Sequence, residues 1–529
     1  MRVSHLFGKF KLSSATQIRW QTSSTAKYKL IDEVEKLIED NKIKPRKHPG
    51  IVKRGTVEMP KWIVSAIEQC LQDVQDKPLL LRERQTFSNY LFSRRLPLGD
   101  SDVKKMYREI EYNILAKKYG DLETIDDEFE IEKRRKIIKG EAVNKLKQCV
   151  YDWKPIEYNA YKSYLYMITR SVPEYAVLDT IFKEIQLRNP TFNPKSIFDF
   201  GSGVGSVLWA ALERWNTINE YMGIDISADM CDLSEKIISL RPKKYKKAFF
   251  RQFLPVSNLQ HDIVVSAYSL MELESAKSRL EVIAKLWKKT NQYLIIVEQG
   301  TNAGYKLVLE ARDFVNYLMD TDYYQDQKHF IFSPCPHKNP CPRLLQNKGF
   351  PCNFGIQYMP LRLLGPQRQN FELYSYVVLK KGNPTSEDNW SRIVRPTLVR
   401  KNHVRCRMCT SEGQLEEVVV TKSRHGKPFY RCAKASGWGD RLSIEPNPSY
   451  EGADAVVVTP NENEETDISA SFESVDVSFK EEDPFAAGYK EAIPRPEKLK
   501  RGKNNLESSD IESQDLKPIY TSETPYVSK

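Results

Sequence analysis

Three cysteines punctuate one short segment braced by prolines, Ser333-Pro-Cys335-Pro-His-Lys-Asn-Pro-Cys341-Pro and then Phe350-Pro-Cys352. A further pair, Cys406-Arg-Met-Cys409, follows 53 residues later, and six of the nine cysteines lie between Cys335 and Cys432. Thiolates gathered by turns are what a soft metal ion or an iron–sulfur cluster requires, and packing alone does not. The ordinary alternative is a buried free thiol acting as a small hydrophobe, but such thiols sit in apolar runs, whereas these are flanked by Pro, His, Lys and Arg. A zinc ribbon would show two C-x2-C knuckles, and only one is present. Disulfides are the third option, and they depend on the compartment.

A second constellation is Phe198-Asp199-Phe200-Gly201-Ser202-Gly203-Val204-Gly205, placed after an apolar run and before a helical one. Glycines let a backbone turn tightly and approach a ligand, and a helix N-terminus favours a carboxylate or phosphate. The dinucleotide fingerprint is G-x-G-x-x-G. The spacing here is G-x-G-x-G with an acid two residues ahead, the pattern of class I S-adenosylmethionine methyltransferases. Met222-Gly-Ile-Asp225 supplies a second acid at the end of the next predicted strand, suited to two ribose hydroxyls. The expected cofactor-binding set is therefore Asp199, Gly201, Ser202, Gly203, Gly205 and Asp225, with Asp199 at the amino-acid end of the cofactor. A sheet whose ligand site has decayed is the competing reading. Catalytic residues stay unassigned: where amino-methylating enzymes carry Asn/Asp-Pro-Pro-aromatic, this chain has Asp262-Ile-Val-Val-Ser-Ala-Tyr268-Ser-Leu-Met-Glu272. Cys231 falls on a predicted helix and reads as a packing residue.

Residues 1–31 hold Arg2, Lys9, Lys11, Arg19, Lys27 and Lys29 among serines and threonines, with no acid before Asp32. That is the composition of a mitochondrial transit peptide, and it makes the matrix the expected location. In the matrix structural disulfides are disfavoured and metal thiolates favoured. No run approaches the ~18 apolar residues of a membrane span, so membrane insertion is not expected. The net charge of +11 is unevenly spread: from Pro446 onward nine Lys/Arg face eighteen Asp/Glu, leaving 72 against 52 in residues 1–445. A basic body suggests a polyanionic partner.

These residues must be positioned by larger elements. Apolar spacing predicts helices over 28–39, 62–74, 79–96 and 103–117, then a charged helix over 128–148 containing Lys133-Arg-Arg-Lys136. A solvated face is the default reading of that run. From 158 a helix leads into alternation: strands at 196–200, 221–226, 262–267 and 293–297 separated by helices at 207–215, 228–240 and 276–289. This implies a parallel, doubly wound sheet. Further strands are expected at 371–380 and, as a hairpin, at 416–422 with 428–432.

The motifs taken together resemble one family, the mitochondrial methyltransferase-like ribosome assembly proteins. Asp199-Phe-Gly-Ser-Gly-Val-Gly, the Ile263 to Leu273 run, Val297-Glu-Gln-Gly-Thr-Asn-Ala-Gly, Cys335-Pro-His-Lys-Asn-Pro-Cys341-Pro and Trp438-Gly-Asp440 occur in that order over roughly residues 80–445. The resemblance implies an α/β fold: a class I methyltransferase Rossmann-like sheet, a helical N-terminal region and a Cys-rich, β-containing C-terminal subdomain. It implies a [4Fe–4S] site on Cys335, Cys341 and Cys352, with Cys409 favoured over Cys406 as fourth ligand, and zinc as the alternative metal. Cys432 is expected to be structural. The implied partners are mitochondrial small-subunit rRNA and ribosomal proteins, bound by a monomer, with the cationic stretch Arg392, Arg395, Arg400, Lys401, His403, Arg405 and Arg407 facing RNA and Arg241 to Lys247 extending it. The expected layout is a transit peptide at 1–27, helices at 28–157, the methyltransferase domain at 158–325, the iron–sulfur subdomain at 326–445 and a disordered acidic tail at 446–529. The implied function is small-subunit assembly in support of mitochondrial translation. An active S-adenosylmethionine-dependent rRNA methyltransferase and a zinc-stabilised RNA-binding protein remain as alternatives.

Overall fold

The computed structural model describes residues 25–450 apart from 53–54, 120–127, 150–152, 244, 246, 258, 322–326, 347–348 and 366–367. Most of the expected leader, residues 1–24, and the tail from 451 lie outside the described residues, as do Lys244 and Lys246 of the second basic run.

Continuous β-branched runs such as Ile263-Val-Val and Leu294-Ile-Ile-Val have no polar face, so they can be satisfied only inside a sheet covered on both sides. They form its centre. The strand order is Ala248–Arg251, Glu220–Ile224, Ser196–Phe200, His261–Ala267, Thr290–Gln299, Asn370–Lys381, His329–Ser333, with Phe354–Tyr358 also paired to Asn370–Lys381. The first five are mutually parallel, and Asn370–Lys381 enters antiparallel between Thr290–Gln299 and His329–Ser333. One reversed strand in the last-but-one position is the class I methyltransferase sheet that the sequence led us to expect. Helices Ser206–Arg214, Ala228–Ser239, Ala276–Lys288 and Asn302–Met319 cross between strands, and Ala160–Arg188 leads into the first of them. Trp209 and Trp287 are fully buried against the sheet.

A second, antiparallel sheet comprises Ser391–Ile393, Leu398–Val399, His403–Cys409, Leu415–Thr421 and Arg441–Leu442. Its core holds Ile393, Val404, Met408, Val420, Phe429 and Leu442, joined by Val34 and Ile38 from the helix Asp32–Glu39. Tyr28–Leu30 pairs with Ile444–Pro446, so the start of the described chain closes onto its end. Two helices, Asp100–Ile114 and Glu128–Cys149, form a hairpin with a small core of their own, Ile110, Ile114, Ile138 and Ala142.

Several expectations change here. The boundary at 325 runs through the main sheet, because His329–Ser333, Phe354–Tyr358 and Asn370–Lys381 are its last strands; the cysteine segment is an insertion between them. Tyr28–Leu30 is a strand, not helix, since Tyr28 and Leu30 point into the second core on the alternation of an edge strand. At the end of the expected 1–27 leader, Ala26 is buried and Lys27 pairs with Glu416 at 2.6 Å. The stretch 428–432 is helical, within Lys422–Ala435. Gly426 breaks that element at φ +80°, and Pro428 then starts a fresh helical turn where its missing N–H costs nothing.

Candidate functional sites

The glycine loop leaves the C-terminal end of Ser196–Phe200 and turns into the helix at Ser206. Gly201, Gly203 and Gly205 all have positive φ, and a Cβ on Gly201 would lie 2.3 Å from that of Ser269. Gly201 and Ser202 donate their N–H groups to the Ile224 carbonyl at 2.7 and 2.9 Å, locking the turn to the neighbouring strand. Gly203 N–H donates to Asp225 Oδ2 at 2.9 Å, and Ser227 N–H donates to Oδ1 at 3.0 Å. All six residues of the expected cofactor set therefore meet at the ends of two adjacent strands. Asp199 is fully buried beneath them and accepts from Tyr221 Oη at 2.6 Å. Burial pushes its carboxyl up to about 7, against the pull of the Tyr221 hydrogen bond. Its other oxygen, Oδ1, has no hydrogen-bond partner, nor does the buried Ser202 hydroxyl. A buried acceptor without a donor fits an incoming ammonium group, so the donor set suits the amino-acid end of S-adenosylmethionine. Ile226 and Phe253, both exposed, follow the register pair Ile224 and Arg251 at the ends of adjacent strands, where a flat ring could lie between them.

In front of this loop stands a buried polar wall. Tyr166 places Cε1 3.9 Å from where a Gly203 Cβ would be, and its hydroxyl donates to Glu174 at 2.5 Å. Arg170 bridges Glu174 and Glu372 at 3.4 and 2.8 Å and stacks over Tyr268, whose own φ is +57°. Burial raises Glu174 to about 7 and Glu298 to about 8. Tyr268 occupies the position at which amino-methylating enzymes begin their reactive motif, and here it is engaged by Arg170. Cys231 is buried on its helix, as expected of a packing residue.

The thiols divide into two groups. Cys335, Cys341, Cys352 and Cys409 form one group: Cys341 acts on Cys335, Cys341 and Cys335 on Cys352, and all three on Cys409. Burial, then Cys341, pushes Cys335 up to about 11 despite Arg312, while burial and the sibling thiols raise Cys352 and Cys409. Cys406 belongs to the second core instead. On the strand His403–Cys409 two residues three apart face opposite sides, so the C-x2-C pair cannot act as one knuckle. Among the described residues no three His, Cys, Asp or Glu side chains converge on a single-ion position. Two further groups touch the thiols: Tyr305 Oη donates to Cys341 Sγ at 3.2 Å, and His337 Nε2 lies 3.2 Å from Cys409 Sγ.

Two of the arginines expected to face RNA, Arg392 and Arg395, instead hold the cysteine loops, together with Arg312. Arg392 is fully buried, pairs with Glu184 at 2.7 Å and donates to the Pro334 carbonyl at 3.1 Å, next to Cys335. Arg395 donates to Asn353 Oδ1 at 2.8 Å and the Pro351 carbonyl at 3.2 Å, on either side of Cys352. Arg312 donates to the His337 and Asn339 carbonyls at 3.2 and 2.5 Å, between Cys335 and Cys341. Turns rich in proline leave carbonyls without intrachain donors, and buried guanidiniums satisfy them. Arg405 and Arg407 share Glu417 and remain exposed, as do Arg400 and Lys401, while His403 is half-buried.

The family model for "Mitochondrial small ribosomal subunit Rsm22" matches residues 160–443, more than half of the chain. The chain belongs to the Rsm22 family. It is 37% identical over 405 residues to the human "Ribosome assembly protein METTL17, mitochondrial", covering 75% of this chain and 86% of that protein. It is 28% identical over 325 residues to the Schizosaccharomyces pombe "Rsm22-cox11 tandem protein 2, mitochondrial", of which it spans 43%. Solved structures similar to parts of it include the plantazolicin methyltransferase BpumL with S-adenosylhomocysteine (15% identity, TM-score 0.28, 42% of this chain and 90% of that one) and an RNA methyltransferase candidate from Pyrococcus horikoshii (10% identity, TM-score 0.25, 39% and 85%).

In this Rsm22-family chain the residues that sequence reasoning missed are those one step behind the site. Tyr305, Leu309 and Arg312 form one face of Asn302–Met319, a helix that the sequence reading left unassigned. Their i, i+4, i+7 spacing was the available signal, and two of the three are polar, which weakens any apolar stripe. No helix among the described residues is long and apolar enough to cross a membrane.

Proposed function

We propose that this protein assists assembly of the small ribosomal subunit in the mitochondrial matrix, acting as a monomer on small-subunit rRNA and its proteins. In this reading Cys335, Cys341, Cys352 and Cys409 hold a [4Fe–4S] cluster whose role is to fix the surface that meets the subunit. The observation that carries it is that Cys409 lies within electrostatic reach of Cys335, Cys341 and Cys352 from a distant segment, with Cys406 turned into a separate core. A single zinc ion needs its sulfurs all about 2.3 Å from one point. A [4Fe–4S] cluster takes one thiolate per iron, so its four sulfurs stand wider apart than those around a single zinc ion. Burial raises the Cys335, Cys352 and Cys409 thiols, and a polynuclear cation would supply the charge that favours their thiolates. Arg312, Arg392 and Arg395 hold the loops in register for it.

The glycine loop is proposed to bind S-adenosylmethionine without transferring its methyl group. Asp199 Oδ1 would accept from the cofactor's amino group, Asp225 would face the ribose, and Ile226 and Phe253 would flank the adenine. Bound cofactor would brace the loop. Tyr166 and the Arg170–Glu174–Glu372 network occupy the side from which a methyl acceptor would approach.

The test is anaerobic purification of the parent, Cys409→Ser and Cys406→Ser, with iron, sulfide and zinc quantified and small-subunit association measured by sedimentation. Four irons and sulfides in the parent and Cys406→Ser, with loss of both cluster and association in Cys409→Ser, are expected. Zinc in place of iron, or full association by a cluster-free variant, would overturn the reading. Retained rRNA methylation that disappears in Asp199→Ala would show the protein to be a methyltransferase after all.

A further inference from the structure

We infer that Tyr305 sets the reduction potential of the proposed cluster by donating a hydrogen bond from its hydroxyl to the sulfur of Cys341. The inference rests on the four-cysteine reading and adds to it a positioning residue that is not a ligand.

Tyr305 stands in the first turns of Asn302–Met319, 8% exposed, with Oη 3.2 Å from Cys341 Sγ. The fold holds it there from several directions. Thr301 caps the helix, its hydroxyl accepting from the Gly304 N–H at 3.1 Å. A Cβ on Gly304 would come within 2.1 Å of the Gln299 carbonyl oxygen, so only glycine lets the helix start press against the end of its strand. The Gly300 carbonyl accepts from Asn353 Nδ2 at 2.8 Å, which ties the same corner to the residue after Cys352.

Packing alone would be served by phenylalanine. The ring lies among Leu309, Leu344, Cys341 and Cys352, surroundings in which a hydroxyl costs free energy unless it is bonded. A neutral thiol is a weak acceptor, whereas an ionised sulfur takes a charge-assisted bond, so the hydroxyl suits a thiolate. Toward a metal-bound thiolate a phenol can only donate. His337, at the same 3.2 Å from Cys409 Sγ, has ring nitrogens that can donate or accept, so Tyr305 is the group whose part the geometry decides.

An external one-electron reductant such as dithionite would add negative charge that the four sulfurs share; no bond breaks, and Tyr305 keeps its proton. Its hydrogen bond to Cys341 strengthens with that charge, and more so in a buried site than in water. Reduction is thereby favoured and the potential raised, hydrogen bonds to the sulfurs being one of the quantities that set it. Arg312, two turns further along the same helix, acts on Cys335 and Cys341 with its charge in the same sense.

The experiment titrates the anaerobically purified full chain, as parent, Tyr305→Phe and Tyr107→Phe, with dithionite. The reduced cluster is followed by electron paramagnetic resonance, with iron and sulfide counted and melting temperatures recorded. Tyr107, whose hydroxyl donates to Glu111 at 3.1 Å in the hairpin's own core, is the control for loss of a phenolic hydroxyl. Tyr305→Phe should keep its iron and sulfide and shift the reduction equilibrium about tenfold toward the oxidised state, a fall of about 59 mV for one electron. Tyr107→Phe should match the parent. As a second probe, 3-fluorotyrosine at position 305 keeps the shape and donates more strongly, so its potential should lie above the parent's. An unchanged potential in Tyr305→Phe with cluster content intact overturns the inference and leaves the four-cysteine reading standing. If Tyr305→Phe loses its cluster during purification, the fluorinated protein decides, and a potential at or below the parent's overturns the inference. A parent that carries zinc, or no iron, overturns both.

Discussion

Replacing Asp199 by Asn should make the ligand-free protein more stable, and increasingly so as pH rises. The buried carboxyl has an ordinary value of 3.8 and is pushed up to about 7 in the fold. Since the folded value exceeds the unfolded one, the folded state binds more protons between those limits, and its stability falls as pH climbs through them and levels off above. At about 1.4 kcal/mol per tenfold change, the cost of this carboxyl is about 1 kcal/mol at pH 4.5 and about 4 kcal/mol at pH 7.5. Asn keeps an acceptor for Tyr221 Oη, fills the same volume and removes the charge. The stability difference between variant and parent should therefore grow by about 3 kcal/mol across that range. Glu174 and Glu298, also raised by burial, titrate in both proteins and cancel to first order in the difference. Urea denaturation at several pH values gives the answer. A difference that does not change with pH, or one that favours the parent at pH 7.5, would refute the reasoning.

Other perturbations discriminate among the remaining contacts. Arg392→Met removes one of two guanidinium partners of Glu184, Arg188 remaining at 3.0 Å, and leaves the Pro334 carbonyl without its donor, so a loss of about 1–3 kcal/mol is expected in denaturant titration; an unchanged stability would mean that the pair is not buried in solution. Gly201→Ala should be far worse than Gly203→Ala, because the first drives a Cβ to 2.3 Å from Ser269 while the second meets nothing nearer than 3.9 Å and carries only the left-handed backbone cost of about 1–2 kcal/mol. Equal melting temperatures for the two would sink that comparison. A chain begun at Ile31 loses Tyr28 and Leu30 from the second core, each worth about 1.5–3 kcal/mol when buried, and should melt well below one begun at Thr25.

The main sheet was legible because its signals are local. Uninterrupted β-branched runs, a glycine turn and amphipathic helices of ordinary length depend on residues a few places apart, and every parallel strand from 196 to 297 announced itself except Ala248–Arg251, which is short and half polar. The strand expected at 428–432, as the second arm of a hairpin, failed for the converse reason: the backbone limits of Gly426 and Pro428 decide the element, and they start a helical turn. At the sites, residue types and spacing in sequence identified the glycine loop, the two acids and the three clustered cysteines. Sequence spacing could not say which of Cys406 and Cys409 joins them, because that depends on which face of a strand each occupies and on what that face packs against. Nor could it tell a cation on the surface from one folded inward: Arg392 and Arg395 look the same as Arg400 in a line of letters. Only the tertiary structure supplies the carbonyls of the proline-rich turns that two of these guanidiniums turn inward to satisfy, and that requirement, a buried acceptor needing a donor, decided their place.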